Sequence, residues 1–342
     1  MIEKYYDGAI EQVAAGLGTV EKNHLLVRYS GQFSVENLND TKQLEKNEDI
    51  FVQVHEFETG EITCAYEPYL TMICDGFRRY MTGTFEEFME TCDVYYLHRP
   101  VLLGYFNQDN TGREEIILLD EVAYEQERML AALERMLCAI ADRHPVLFVL
   151  NRFQLASKST MQLTARFLKC ENCNIGLVLG VSDIQAMPEF LVPDWEMLYE
   201  TLDDGSKIYH IGNSGRKKEE TIDDEKYVDY GSEKVYRKLQ NMVEFLDFDQ
   251  AAYYLETIER KIKFDNLLVD DAARFRMWLL FVKVSILRQD IPKALEICED
   301  LEKIHLAGKE EECAYEQDYL IATAYMYQGK LKEALEMAGD CL

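Results

Sequence analysis

The sequence predicts an α/β domain, a mainly parallel three-layer sheet with helices on both faces, followed by an all-α region of helical repeats. Two apolar runs point to the sheet. Val146–Leu150 and Ile175–Gly180 are continuous and of strand length, as expected for strands buried on both faces. The repeats show as three related segments, FLDFDQAAYYLETI, LRQDIPKALEICEDL and YQGKLKEALEMAGDCL. Their equivalent alanines, Ala251, Ala294 and Ala334, lie 43 and 40 residues apart, which is a repeat period.

Taken in order, the chain starts with a helix and then a short strand, Leu25 to Val27, whose loop begins at Ser30-Gly31. A Pro-containing helix is expected over 66–81 (YEPYLTMICDGFRRYM), and a long amphipathic one in EQERMLAALERMLCAIADRHP. Pro145 bounds the strand Val146–Leu150, after which a turn leads into a helix starting near Ser159-Thr160. The strand Ile175–Gly180 runs into Ser182 and Asp183. In WEMLYETLDDGSKIYHIG, Asp204-Gly205 gives a hairpin signal between MLYETL and KIYHI. The polar, charged stretch from Ser214 to Ser232 is a linker, so the expected organisation is 1–213, a linker over 214–232, and repeats over 233–342.

Composition limits the partners. With 36 basic against 63 acidic residues and a net charge of -27, the chain is a poor match for nucleic-acid phosphates, and its densest basic cluster, Arg216-Lys217-Lys218, is followed at once by Glu219-Glu220. No apolar run approaches the roughly 18 residues of a membrane helix, and the opening MIEKYYDGAIEQ has no signal-peptide core, so a cytoplasmic protein without membrane contact is expected. Nine scattered cysteines suggest reduced thiols. Cys170 and Cys173 form a lone C-x-x-C without a second pair, and the histidines at 24, 55, 98, 144, 210 and 305 show no ligand spacing, so neither a metal nor a cofactor is expected. The motifs G-x-S-x-G, H-E-x-x-H and G-x-G-x-x-G are missing, and acid pairs such as Asp203-Asp204 and Asp223-Asp224 are unremarkable among so many carboxylates.

The stretch His144 to Leu168 resembles the Walker B region of STAND-type ATPases, a branch of the AAA+ class, through its apolar strand and through Leu155, Ala156, Ser159, Thr160 and Leu163. The resemblance covers about residues 1–213, with the expected elements in family order, and it implies a P-loop NTPase-like fold. The charged residues that hold nucleotide in that family are replaced. Asn151 and Arg152 stand where the resemblance implies paired acids for magnesium and water, and Ser157 stands in place of the Asp after Ala156. A phosphate loop counted from Gly31 would end in Gly-Lys-Ser/Thr, whereas this chain has Glu36, Asn37 and Leu38. The resemblance therefore implies a pseudo-ATPase, with Gly31, Glu36, Asn37 and Leu38 as a vestigial phosphate loop and Asn151, Arg152 and Ser157 as a vestigial Walker B segment.

The helical segments resemble tetratricopeptide repeats. Tyr325, Gly329 and Ala334 fall at the family's Tyr, turn and Ala positions, and Trp278 and Ala294 at its Trp and Ala positions, while Leu246 and Gln289 replace the turn Gly. Together the resemblances imply a non-catalytic regulatory or sensory module that binds a protein or peptide through its repeats and is able to form homo-oligomers. Leu335, Met337 and Leu342 would leave an apolar edge, from which either a partner that covers it or a longer signalling protein is expected, the latter with an output domain such as a GGDEF diguanylate cyclase or a DNA-binding regulator. The alternatives are a working STAND ATPase with unorthodox ligands and a pure repeat scaffold.

Overall fold

The structure, a computed structural model, describes residues 2–19, 24–30, 33–35, 38–46, 48–58, 60–109, 121–170, 174–182, 187–203, 207–211, 229–265, 267–301, 303–304 and 310–340. The chain divides into two compact units, Met1–Glu114 with Glu127–Tyr227, and Glu115–Gln126 with Val228–Leu342.

In the first unit, β1 (Leu25–Tyr29), β2 (Phe51–Glu56), β3 (Val146–Asn151), β4 (Ile175–Ser182) and β5 (Lys207–Ile211) form one sheet in the order β2-β3-β4-β1-β5. Every neighbouring pair is parallel. The three strands expected from the sequence are its interior. All side chains of β3 and β4 are buried, which is why these strands read as unbroken apolar runs, whereas the edge strand β2 is mostly half-buried.

Among the described residues eight helices accompany the sheet: α1 (Ile2–Gly16), α2 (Asn39–Leu44), α3 (Tyr69–Tyr80), α4 (Phe85–Thr91), α5 (Arg99–Asn107), α6 (Val122–Ala141), α7 (Lys158–Lys169) and α8 (Val192–Asp203). Strand alternation sorts the side chains between two faces. On one face Leu25, Val27, Tyr29, Leu147, Val149 and Val178 pack with Tyr6, Ala9, Ile10 and Val13 of α1. On the other, Phe148 meets Tyr69 of α3 and Phe167 of α7, at ring-centroid distances of 4.7 and 6.4 Å. The result is a three-layer α/β/α unit.

One expectation fails here. MLYETL is not a hairpin strand but part of α8, and Lys207–Ile211 pairs parallel with β1. Burial at Leu191, Asp194, Leu198 and Leu202 follows helical spacing, so one face of α8 packs inward and period-2 pairing is ruled out. Gly205 lies outside the described residues.

The second unit contains α9 (Glu233–Glu244), α10 (Phe248–Phe264), α11 (Asp271–Leu287), α12 (Ile291–Leu301), α13 (Glu310–Tyr327) and α14 (Leu331–Asp340). Ser232 and Asp270 cap α9 and α11 by accepting from Val235 N and Ala273 N. The turns α9–α10, α11–α12 and α13–α14 are copies of one another. Leu246, Gln289 and Gly329 all take left-handed backbone, with φ of 67°, 63° and 80°. Each next amide reaches back to the carbonyl five residues earlier: Asp247 to Met242, Asp290 to Ser285, and Lys330 to Tyr325. Then Ala251, Ala294 and Ala334 donate to Asp247, Asp290 and Lys330 oxygens, each at 3.0 Å. The spacing seen in the sequence is thus a repeat of backbone geometry. Ala251 and Ala294 are fully buried and Ala334 half-buried. Trp278 is buried in α11 with its ring 6.4 Å from that of Phe281. Glu259 of α10 pairs with Lys263 at 2.7 Å and with Lys293 of α12 at 3.0 Å, tying alternate helices together.

Candidate functional site at the strand ends

In a parallel sheet the carboxyl ends of the strands share one edge, where loops and helix N-termini converge and where ligands bind in open α/β folds. Here that edge brings together Tyr29 and the following loop, Glu56 of β2, Asn151 and Arg152 of β3, and Ser182 of β4. Register places Glu56 beside Asn151 and Tyr29 beside Ser182.

Asn151 is completely buried and fully engaged. Tyr29 Oη donates to its Oδ1 at 2.7 Å, and its Nδ2 donates to Phe33 O at 3.0 Å. The Phe33 ring packs 5.4 Å from Tyr6 and 5.7 Å from Tyr29, so the segment after β1 is folded down onto the strand ends. Val35 and Leu38 are buried, which continues the cover. An apolar Leu at 38 belongs to the core and offers no hydroxyl to a metal. Gly31, Glu36 and Asn37 lie outside the described residues.

Arg152 takes left-handed backbone, φ 53°, a conformation that costs a non-glycine residue about 1–2 kcal/mol. Its Nε lies 3.3 Å from Glu56 Oε1. Glu56 Oε2 accepts from Ser34 Oγ at 2.7 Å and Val35 N at 3.2 Å. The acid lacking at the end of β3 therefore has a counterpart one strand away, already occupied by a guanidinium, a hydroxyl and an amide. Ser157 is the N-cap of α7, accepting from Thr160 N at 3.3 Å, so its hydroxyl shapes the helix start. Thr160 Oγ1 donates to Glu67 O, and Ser159 Oγ accepts from Tyr66 N, fastening the segment before α3 to α7.

Among the described residues, two buried polar side-chain atoms at this edge have no partner. Tyr6 Oη is one, held against Gly180, where a Cβ would come within 2.3 Å of it and 2.6 Å of Asn151 Oδ1. Gln154 Nε2 is the other; its Oε1 accepts from Ser182 N at 3.3 Å. Burial pushes the Tyr6 phenol well above the ordinary tyrosine range, with Tyr29 and Glu56 adding to the effect. Burial also pushes Tyr29 up to about 12, against the opposing pull of Arg152.

Sequence reasoning missed Tyr6, Tyr29, Phe33, Glu56 and Gln154. The available signal was the edge strand Phe51–Glu56, whose polar end lies level with Asn151 only once register is known. Among the described residues no group of three or more His, Cys, Asp or Glu is placed to hold a metal ion, and no helix is long and apolar enough to cross a membrane. Chemically, the edge holds Asn151, Arg152 and Glu56 in internal hydrogen bonds and an ion pair. The sequence matches no model of a known protein family and no curated protein.

Proposed function

We propose that residues 1–213 are a degenerate STAND/AAA+-like, P-loop NTPase-like platform without catalytic activity. The helices of 233–342 are a tetratricopeptide-like arm for a protein or peptide partner, and the whole is a regulatory or sensory module of a signalling protein. Two features support the family resemblance: the strands that precede the two altered stretches, β1 and β3, flank β4 in one parallel sheet, and the left-handed backbone turn occurs at Leu246, Gln289 and Gly329 in the arm. The observation that carries the non-catalytic reading is the Tyr29–Asn151–Phe33 hydrogen-bond chain beside the Arg152–Glu56 pair. Phosphoryl transfer needs a cation cradle for the phosphates and acids for magnesium. Here Asn151 and Arg152, which stand at the positions of those acids, are held by Tyr29, Phe33 and Glu56.

Glu56 is the observation that favours the second reading, an ATPase with unorthodox ligands, since it places a carboxylate next to Asn151. Its three contacts to protein donors argue against magnesium binding. The test is titration calorimetry with ATP, ADP and GTP, with and without magnesium, together with phosphate-release assays of the parent and of Asn151→Asp. Neither protein should turn over nucleotide. Magnesium-dependent hydrolysis that disappears in Glu56→Gln would replace this reading with the second.

A further inference from the structure

Cys138 of α6 and Cys170, the C-cap of α7, place their sulfurs 3.5 Å apart, and both residues are partly exposed. Their approach is built into the helix pair. Arg166 Nη1 binds Glu134 Oε2 at 2.8 Å, and Glu134 and Arg166 each lie four residues before one of the cysteines. The two helices therefore run side by side in matched register, with an ion pair at one turn and facing thiols at the next. Arg166 also pairs with Glu127, about two turns further back along α6. By contrast, Cys74, Cys92 and Cys298 are buried.

We propose that Cys138 and Cys170 form a reversible thiol/disulfide couple that takes a small-molecule disulfide, such as oxidised glutathione, as its oxidant. A disulfide has an S–S length of about 2.05 Å, so the two sulfurs need to close a gap of only about 1.5 Å, within reach of small side-chain rotations. A hydrogen bond joins the two thiols, and either sulfur can be its donor. That bond foremost, then burial, pushes the Cys138 thiol up. The thiolate of one cysteine attacks the small disulfide, forming a mixed disulfide and expelling one thiolate. The other cysteine then gives up its proton and attacks the protein sulfur of that mixed disulfide, expelling the second thiolate. Two protein thiols become one disulfide, the small disulfide becomes two thiols, and the two protons end on the products. The cross-link would close a loop that includes β3, Asn151 and Arg152, so oxidation would lock the segment that forms the strand-end network. This inference stands independently of the pseudo-ATPase reading.

The test is incubation of the full chain in glutathione buffers of graded ratio, followed by digestion after Lys, Arg and Glu without reduction. Cleavage at Glu171 separates Cys170 from Cys173, and cleavage at Arg143 frees the segment 136–143. The expected product is that segment joined to Cys170-Glu171, two hydrogens lighter than the sum of its parts. It should be lost in Cys138→Ser and in Cys170→Ser and kept in Cys173→Ser. The melting midpoint should rise by roughly 5–15 °C on oxidation of the parent and of Cys173→Ser, and stay put in Cys138→Ser. A cross-link through Cys173, disulfide-linked dimers, or glutathione adducts that never resolve into the internal bridge would each overturn the proposal.

Discussion

Tyr29 and Asn151 lie two strands apart in the sheet and are joined by a 2.7 Å hydrogen bond from the phenol to the amide oxygen, at the position where the sequence resemblance implies a carboxylate. The bond is worth most as the satisfaction of a buried acceptor. Truncating the donor leaves Asn151 Oδ1 without a partner, which typically costs about 1–3 kcal/mol.

Tyr29→Phe should therefore destabilise the first unit by roughly 1–2 kcal/mol at neutral pH. The pH dependence has a definite sign. The folded-state pKa of Tyr29 is raised from 10.0 to about 12, so the stability tied to its proton is fully present below pH 10 and is lost as pH rises toward 12. The gap between parent and Tyr29→Phe should narrow over that window. Urea unfolding at pH 7, 10 and 11.5 measures it, and a gap that stayed constant or widened would contradict the burial that pushes the Tyr29 phenol up.

Gly180 and Tyr6 make a second, coupled test. A Cβ at 180 would meet Tyr6 Oη at 2.3 Å and Asn151 Oδ1 at 2.6 Å, both too close to persist. Gly180→Ala should cost about 1–3 kcal/mol as overpacking. Tyr6→Phe should be neutral or stabilising, because it removes a buried hydroxyl that has no partner. In the double mutant the alanine should cost less than it does alone, since the nearest of the three clashing atoms, the Tyr6 hydroxyl, is gone while Asn151 Oδ1 and the ring edge of residue 6 remain. Strictly additive effects in this cycle would mean that Tyr6 does not set the room at Gly180.

The left-handed turns give a matched pair in the arm. Gln289 is exposed and has φ 63°, so Gln289→Gly should stabilise the second unit by about 0.5–1 kcal/mol by relieving backbone strain. Gly329 has φ 80° and open space around a prospective Cβ. Gly329→Ala should therefore destabilise by roughly 1 kcal/mol through backbone conformation alone. Thermal unfolding that moved in the same direction for both substitutions would contradict the shared turn geometry.

The pattern of success and failure in the sequence follows from which signals are local. β3 and β4 were legible because burial on both faces leaves a continuous apolar run that few other arrangements produce. The repeat was legible because the small alanines recur with the backbone geometry. The segment before β5 was misread because Asp-Gly is a strong local turn signal, while the helical spacing of Leu191, Leu198 and Leu202 is carried by only a few residues. Glu56 was invisible as a site residue because its meeting with Arg152 depends on β2–β3 register across about a hundred residues. Residues 121–126 likewise group with the second unit, where Gln126 Nε2 donates to Leu246 O at 2.7 Å, a long-range contact that no local pattern announces.

The alanine positions test the arm as a packed array. Ala294 is fully buried in α12, which packs against both α11 and α13, whereas Ala334 is half-buried in α14. Helix axes in such packing lie about 8–10 Å apart, and a leucine in place of the alanine forces that spacing open where neighbours crowd it from both sides. Ala294→Leu should cost about 1–3 kcal/mol, and Ala334→Leu less than about 1 kcal/mol because its side chain can extend toward solvent. The first unit should keep its own melting transition in both variants, since the substitutions touch only the core of the second. Calorimetric unfolding of the two proteins decides the matter: an Ala294→Leu protein as stable as its parent would show that the repeated alanines are not close-packing positions and would remove the main support for the arm as a partner-binding array.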